Sequence, residues 1–489
     1  MNTLAHLDHQ FVWHPFTQMR DWLKSEPLVI TTGRGTVLRD IRGHEYLDAN
    51  SSIWTNLHGH NHSKINAAIR RQLGKIAHSS ALGLANEPAS LLAGKLVQLA
   101  NPQFVGHAAD QAGLSAASRR LTKVFFSDDG STALEVALKL AYECSRRSGH
   151  ASIPRFLSLE GAYHGDTVGA VSAGHIDLFH KRYSGLLFKT DKVMSPYCYR
   201  CPFNRAKPER ADARACRKCD WECISLVEKK FAAQKRKRNP YAAFIVEPRM
   251  QGAAGMIPQP DGWLRQVAEI ARHHGALLIA DEVMTGFGRT GFSQSRLNAQ
   301  PSTFLFASHH EGVQPDFLCL AKGLTGGYLP MAATLTTQKV FDAFLGDYGE
   351  QKTFFHGHSY TGNQLGAAAA LASLDILQSR ASVRARQTLE KVLHDELQML
   401  WSLPQVGDIR RAGLVAGIEL VRDWRTRTPF AWHERAGIRV CEAMAQRGVL
   451  TRPVGNVIVL MPPYCTTPRQ VQQIVGVLKA AIAGVLHSK

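Results

Sequence analysis

The chain has 489 residues, 45% of them hydrophobic and 20% charged, which is typical of a globular protein large enough for two or more domains. Its 58 Lys and Arg against 40 Asp and Glu give a net charge of +18, but the basic residues are spread out except around 229–238. We therefore expect a solvated basic surface and no nucleic-acid partner. The chain shows neither a secretory leader pattern nor an apolar run of membrane-spanning length, so we expect a cytoplasmic protein without a membrane span.

Strand and helix patterns alternate along most of the chain. Residues 36–40 and 45–48 flank a turn and predict a β-hairpin. Residues 64–100 carry the spacing of helices, and the small, polar residues 101–120 predict a mobile connection. From about residue 64 to about residue 340 the alternation of strand and helix patterns predicts a mixed or parallel α/β sheet.

A short turn at 128–132 joins a predicted strand at 123–127 to a predicted helix. Gly130 and Ser131 lie where a helix N-terminus offers free N–H groups, a hydroxyl and the positive end of the helix dipole. This arrangement binds phosphate. The plainer alternative is capping of the helix by Ser131 or Thr132.

Two strands end in residues with complementary chemistry. The apolar run 317–321 leads to Lys322, whose partly desolvated amine would have a lowered pKa and could attack a carbonyl group. The apolar run 276–280 leads to Asp281, which would point into the crevice where open α/β sheets bind ligands. A surface lysine at a strand end is the simpler alternative. Tyr163 also follows a strand and could stack on a planar ligand, or belong to the core.

Five of the nine cysteines lie close together in sequence, at Cys198, Cys201, Cys216, Cys219 and Cys223. The two Cys-x2-Cys pairs, 198/201 and 216/219, have the spacing of a tetrathiolate zinc ribbon. The alternative is a surface insertion whose thiols stay reduced in the cytosol. We include no metal ligand among the predicted site residues.

Two long motifs carry a specific resemblance. The sequence DEVMTGFGRTG at 281–291, followed by KGLTGG at 322–327, resembles the signature of the class III aminotransferases, which depend on pyridoxal phosphate (PLP). The resemblance runs from about Trp13 to the C-terminus. It implies the fold type I α/β architecture: a large domain with a mixed, mostly parallel sheet, and a smaller α/β C-terminal domain. It implies PLP as cofactor and Lys322 as the catalytic lysine, and these further site residues: for the cofactor, Gly130, Ser131, Tyr163, Asp281, His358 and Ser359; for the substrate, Ile53, Trp54, Tyr163, Gly357 and Arg452.

Within this class, the segments 13–18, 51–54, 356–363 and 451–453 resemble the 8-amino-7-oxononanoate aminotransferases of biotin synthesis, which make 7,8-diaminononanoate. Phe16 and Ile53 resemble the residues at these positions in the Bacillus-type branch of these enzymes. Because that branch includes enzymes that use lysine as amino donor, we expect the donor to be either S-adenosylmethionine or lysine. Alternatives are another class III aminotransferase, acting on an ω-amino acid, ornithine or 4-aminobutyrate, and a PLP-dependent mutase or decarboxylase. An alternative of a different class is a zinc-bearing, basic nucleic-acid-binding protein.

The resemblance also implies the division of the chain. Residues 1–60 are expected to pack with the small domain, 61–355 to form the large PLP-binding domain with a cysteine-bearing insertion at 190–223, and 356–489 to form a linker helix and the small domain. It implies a homodimer whose active site lies at the subunit interface, with small molecules as substrates.

Overall fold

A computed structural model describes residues 3–102, 119–207, 209–292 and 304–486. The predicted connection at 101–120 falls largely on residues 103–118, which lie outside the described ranges. The described strands are β1 (Ile30–Arg34), β2 (Val37–Asp40), β3 (Glu45–Asp48), β4 (Leu121–Ser127), β5 (Arg155–Leu159), β6 (Asp191–Val193), β7 (Tyr241–Val246), β8 (Met250–Gln251), β9 (Ile257–Pro258), β10 (Leu277–Asp281), β11 (Phe317–Leu320), β12 (Ala332–Thr337), β13 (Val406–Ala412), β14 (Val415–Asp423), β15 (Thr428–Pro429), β16 (Val449–Leu450), β17 (Pro453–Val454) and β18 (Val457–Leu460). The described α-helices are α1 (Thr3–Phe11), α2 (Met19–Trp22), α3 (Ser51–Trp54), α4 (Ser63–Leu73), α5 (Glu87–Leu99), α6 (Gly130–Arg147), α7 (Val168–Ala173), α8 (Asp177–His180), α9 (Glu222–Arg236), α10 (Trp263–His273), α11 (Gln338–Asp342), α12 (Gln364–Gln378), α13 (Arg380–Leu397), α14 (Ala436–Ala445) and α15 (Pro468–Val485).

A seven-stranded sheet in the order β4-β12-β11-β10-β7-β5-β6 forms the centre of the molecule. Neighbouring strands from β11 to β6 pair in parallel, whereas β12 is antiparallel to both β11 and β4. The inner strands are apolar and buried along their whole length, because helices cover both faces of a parallel sheet. The predicted mixed, mostly parallel α/β sheet is confirmed.

Helix α6 packs against this sheet through an apolar face that includes Leu134, Ala137 and Ala141, all fully buried. Its N-terminus is fixed by Asp129, whose carboxylate accepts a hydrogen bond of 2.9 Å from the Thr132 N–H. Thr132 Oγ1 in return accepts the N–H of Asp129 at 2.9 Å, so the two residues form a reciprocal cap. The alternative of capping by Thr132 is therefore confirmed, with Asp129 rather than Ser131 as the N-cap residue.

The N-terminal segment and the C-terminal part of the chain share one β-sheet, in the order β1-β2-β3-β16. The predicted hairpin is confirmed: β2 pairs antiparallel with β3. Strand β3 in turn pairs in parallel with β16, which belongs to the C-terminal part of the chain. Strands β13, β14, β18, β17 and β15 form a separate sheet. The predicted domain boundaries agree with this arrangement of sheets but remain a prediction. No helix in the described ranges is long and apolar enough to cross a membrane.

Candidate active site

A cavity of about 460 Å³ lies at the carboxyl ends of the central parallel strands. Strands β7, β10 and β11 and the N-terminus of α6 all reach it, as the crevice rule for open α/β sheets predicts. Six of the predicted site residues line its wall: Trp54, Gly130, Ser131, Tyr163, Asp281 and Lys322.

Lys322 begins a 3-10 turn directly after β11. Its backbone adopts φ = +44°, a left-handed conformation that is rare outside glycine and asparagine. The turn presses against the N-terminal segment, since a Cβ added at Gly327 would lie 2.8 Å from the backbone of Asn56. Burial lowers the pKa of Lys322, while the charges of Asp281 and Glu247 oppose the shift. This lowered pKa favours a neutral, nucleophilic amine.

Asp281 is held by a histidine. One carboxylate oxygen lies 2.7 Å from Nδ1 of His164, and the other accepts the N–H of Val283 at 3.1 Å. Burial alone would lower the pKa of His164, but the hydrogen bond and charge of Asp281 outweigh it and raise that pKa. A protonated His164 stabilises a negative charge on Asp281. Sequence reasoning missed His164; the available signal was its place directly after Tyr163, at the end of the neighbouring strand.

Glu247 is a second buried carboxyl group behind the cavity. It follows β7, and its two oxygens accept N–H groups from Tyr163 at 3.3 Å and Gly252 at 2.8 Å. Burial raises the pKa of Glu247 to about 7, against the effect of His164 and with a further contribution from Asp281. The Glu247 carboxyl group therefore links Tyr163 to the loop that contains Gly252. It is largely neutral below about pH 7.

The N-terminus of α6 forms one end of the cavity. The N–H groups of a first helical turn have no intrahelical acceptor and lie at the positive end of the dipole, so they suit an anion. Ser131 Oγ accepts the N–H of Asp166 at 3.2 Å, which ties the helix to the turn at 161–167. At Gly130 a Cβ would lie 2.7 Å from Val283, so glycine permits the close approach of the helix to the end of β10.

The opposite wall is apolar. Lys322 Nζ lies 5.0 Å from the centre of the Trp54 ring. Trp54 packs against a cluster rich in methionine, including Met284. A Cβ added at Gly252 would meet Met284 Sδ at 2.5 Å, so glycine leaves room for these side chains. This wall suits an aliphatic chain.

The remaining predicted residues do not line the cavity in this single chain. His358 lies just outside, with Nδ1 2.8 Å from a carboxylate oxygen of Asp128. The carbonyl of Ser359 accepts a hydrogen bond of 2.9 Å from His78. The other three are Ile53, which is 46% exposed, Gly357 and the exposed Arg452. Their roles remain predictions.

The residues that do line the cavity fit PLP. A helix N-terminus suits its phosphate, Asp281 suits a protonated pyridine nitrogen, and the Tyr163 ring suits a planar face. The amine of Lys322 suits its aldehyde carbon. The buried pair of Asp281 and His164 supports this fit on grounds independent of the sequence motif, because a hydrogen bond of 2.7 Å holds the carboxyl group at the cavity wall.

Comparison with known proteins identifies the family. The family described as “Aminotransferase class-III” matches residues 19–482. The chain belongs to the class III aminotransferases. Among curated members of this family, it is 45% identical to the adenosylmethionine-8-amino-7-oxononanoate aminotransferase of Geobacter sulfurreducens, over 98% of this chain and 97% of that protein. It is 44% identical to the protein of the same name from Anoxybacillus flavithermus, over 99% and 97% of the two chains.

Solved structures of class III aminotransferases share its fold. The adenosylmethionine-8-amino-7-oxononanoate aminotransferase of Methanocaldococcus jannaschii superposes with a TM-score of 0.85 and 39% identity, over 98% of both chains. A PLP-bound amine transaminase from an uncultivated Pseudomonas species superposes with a TM-score of 0.83 and 33% identity, over 97% of this chain and 98% of that chain. The predicted fold type I architecture is confirmed.

Proposed function

We propose that this class III aminotransferase binds PLP and transfers an amino group to 8-amino-7-oxononanoate, giving 7,8-diaminononanoate for biotin synthesis. The observation that carries the proposal is the partly desolvated amine of Lys322, which shares one cavity with the Asp281–His164 pair. Sequence identity of 42–46%, over 98–99% of this chain, to five curated proteins named for this reaction supports the choice of substrate.

Each residue of the cavity has a distinct task in this proposal. Bound PLP supplies the electron sink that permits exchange of an amino group. Lys322 Nζ would hold the cofactor, and its amine would take up and return the proton at the reacting carbon. Asp281, hydrogen-bonded to His164, would hold a proton on the pyridine nitrogen. Tyr163 would pack on the ring, and the first turn of α6 would bind the phosphate.

The substrate is an aliphatic keto-amine that ends in a carboxylate. Trp54 and Met284 provide an apolar wall of suitable chemistry for its chain. We assign the carboxylate to Arg452, because a guanidinium forms paired hydrogen bonds with this group. Arg452 is exposed and does not line the cavity of the single chain, so this assignment rests on the resemblance. The names of the relatives favour S-adenosylmethionine as the amino donor, with lysine as the alternative.

We also infer a homodimer in the cytoplasm. Large apolar side chains are exposed in two segments, residues 78–91 and 355–360. The two segments lie side by side, since the rings of His78 and Tyr360 are 5.0 Å apart. Patches of this kind mark interaction sites. Their exposed members are Leu82, Leu84, Leu91, Phe355 and Tyr360. A second copy of the chain is the partner that the resemblance implies, with the active site at the subunit interface.

The proposal is tested by product formation. Purified protein with PLP and 8-amino-7-oxononanoate is supplied with S-adenosylmethionine or lysine, and 7,8-diaminononanoate is measured by mass spectrometry. We expect product with one of the two donors, and none with Lys322→Ala. Turnover of ornithine, 4-aminobutyrate or another ω-amino acid, without formation of diaminononanoate, would instead support the alternative substrates.

A further inference from the structure

Element α3 (Ser51–Trp54) has a backbone conformation that residues with side chains rarely adopt. Its four residues have φ values of +48°, +48°, +64° and +68°, so the element is one turn of a left-handed helix. In the described ranges, every other residue that has both a side chain and a positive φ occurs singly. A left-handed turn brings each Cβ close to the following carbonyl oxygen, and Ile53 is branched at its Cβ. Such a turn persists only where its surroundings hold it in place.

The carboxylate of Asp48 holds the start of this turn. Its Oδ1 accepts the N–H groups of Asn50 and Ser52, each at 3.1 Å, and its Oδ2 accepts the Ser52 hydroxyl at 3.1 Å. Oδ2 also lies 3.0 Å from Nε2 of His60, whose Nδ1 lies 3.0 Å from Nδ2 of Asn56. The pair of Asp48 and His60 therefore ties the residues that precede α3 to a residue that follows it.

Two further elements contact the turn. Ser51 is fully buried, and its hydroxyl donates to the carbonyl of Met461, directly after β18, at 2.7 Å. A Cβ added at Gly327 would lie 2.8 Å from the carbonyl carbon of Thr55. Gly327 closely follows the 3-10 turn that begins at Lys322. The segment that carries the cavity's amine is therefore in direct contact with the end of α3.

The hand of the turn decides where Trp54 lies. Trp54 is the last residue of α3, its ring lines the cavity, and the centre of the ring is 5.0 Å from Lys322 Nζ. The direction of a Cα–Cβ bond follows from the backbone conformation, so a right-handed turn would direct this ring elsewhere. The apolar wall of the cavity consequently depends on the bonds that keep α3 left-handed.

We propose that Asp48 and His60 are positioning residues for the substrate. By holding α3 in its left-handed form, they keep the Trp54 ring beside the amine of Lys322 and so form the wall that receives an aliphatic keto-amine. Neither residue lines the cavity, so both act through Trp54 and not on the reacting atoms. The identity of the substrate rests on the proposed function, whereas the restraint on α3 does not.

Asp48→Asn tests the positioning role with little change in side-chain shape. One oxygen acceptor becomes a donor, so the four contacts of the carboxylate can no longer all form. We expect the KM for 8-amino-7-oxononanoate to rise about tenfold while kcat stays within about threefold, because the wall contributes to binding throughout the reaction. An unchanged KM would overturn the proposal.

Asp40→Asn is the matched control for this variant. Asp40 is also buried, and its Oδ1 accepts the N–H groups of Arg42 and His44, each at 2.9 Å. Its Oδ2 lies 3.2 Å from Nδ1 of His44, so the two aspartates make similar bonds. The contacts of Asp40 lie within the β2–β3 hairpin, so its substitution should leave the KM unchanged. An equal rise in KM for both variants would show a general loss of packing and would overturn the proposal.

Visible circular dichroism of the PLP-loaded protein separates this inference from the choice of substrate. A neighbouring aromatic ring contributes to this signal, so Trp54→Phe should change it. Asp48→Asn should change it in the same direction, whereas Asp40→Asn should match the wild type. A wild-type signal in Asp48→Asn would overturn the positioning role. Failure of the wild type to form diaminononanoate would overturn the proposed function instead, and the dichroism would still test the role of Asp48.

The left-handed backbone also predicts an unusual response to glycine. Glycine adopts a positive φ without a steric cost, so Ile53→Gly should keep or raise the Tm. Ile438→Gly is the matched control: Ile438 is 38% exposed against 46% for Ile53, and it lies in the right-handed helix α14, where glycine should lower the Tm. An equal fall in Tm for the two variants would show that α3 is not held in a left-handed form, and would overturn the proposal.

Discussion

Glu247, His164 and Asp281 are buried together, and the protonation of each depends on the others. The hydrogen bond and charge of Asp281 raise the pKa of His164, whereas burial and the charge of Asp281 raise the pKa of Glu247 to about 7. Both shifts favour the protonated form of the group beside Asp281. The amine of Lys322 then lies in surroundings that do not force it to be charged.

Glu247→Gln tests the unusual state of this carboxyl group. Its pKa is about 7 in the folded protein against an ordinary 4.5, so the folded state retains a proton that the unfolded state releases. Between these values the stability of the wild type falls as pH rises, and the glutamine variant escapes this loss. Relative to the wild type, the variant should gain about 1–3 kcal/mol in the free energy of unfolding from about pH 5 to pH 8.

Urea unfolding at several pH values, with PLP saturating, measures this difference. Glu160→Gln is the control, because the Glu160 side chain is 49% exposed and its substitution should give a difference that is independent of pH. If the free energy of unfolding of Glu247→Gln differs from that of the wild type by the same amount at every pH, the Glu247 carboxyl group is ionised throughout this pH range.

Sequence reasoning found the residues whose role is local and missed one whose role depends on a distant partner. Lys322, Asp281 and Ser131 each end a strand or begin a helix, and such positions are readable from the pattern of apolar residues. His164 acquires its role only when β5 and β10 place it against a residue more than a hundred positions away. No local pattern encodes that contact.

At the scale of elements, the site depends on how closely the turn at 161–167 approaches α6. Gly165 has φ = +120°, and a Cβ there would lie 2.1 Å from Ser131 Oγ and 2.8 Å from Ser131 Cα. The last contact is with backbone, so it cannot be relieved by rotating a side chain. The position of the first turn of α6, and with it the predicted phosphate site, therefore requires glycine at this residue.

Gly165→Ala should displace the N-terminus of α6. We expect the free energy of unfolding to fall by about 1–3 kcal/mol and PLP to bind about tenfold or more weakly. The control is Gly185→Ala, since a Cβ at Gly185 meets nothing within 4 Å, and its effect should stay within about 0.5 kcal/mol. Fluorescence titration with PLP and thermal unfolding measure both quantities. Equal PLP affinity in the two variants would contradict the proposed phosphate site.

The central strands were predictable because their sequences are continuous apolar runs bounded by polar turns. The apolar runs at 276–280 and 317–321 correspond to β10 and β11. The contact between the turn after Cys201 and the residue before Cys219 was not predictable, because it depends on hydrogen bonds that Asn204 makes to Cys198 and Lys218.

At the scale of the whole molecule, the single chain leaves its predicted site incomplete. Gly357, His358 and Ser359 lie outside the cavity wall, yet the same segment contributes to the exposed apolar patch. Both facts are explained if this surface packs on a second copy of the chain. Sequence motifs indicate such residues by resemblance, but a contact between subunits has no signature in the apolar periodicity of one chain.

Leu82→Asp tests the inferred dimer. Leu82 is 91% exposed, so in an isolated chain a charge there costs little, whereas in a subunit interface it would be buried without a partner. We expect the wild type to have the mass of a dimer by light scattering, and the variant to dissociate and lose most of its activity. Trp432→Asp, at a site 71% exposed in the C-terminal part of the chain, is the control and should remain dimeric. A monomeric, active wild type would contradict the dimer.

The most direct measurement is the visible absorbance of the PLP-loaded protein during addition of 7,8-diaminononanoate, which tests the reverse half of the reaction without assuming the donor. We predict that the visible band is lost, and that it returns when 8-amino-7-oxononanoate is added. Lys322→Ala should show no such cycle. A visible band that 7,8-diaminononanoate leaves unchanged, but that ornithine or 4-aminobutyrate removes, would contradict the proposed substrate while leaving the class III chemistry in place.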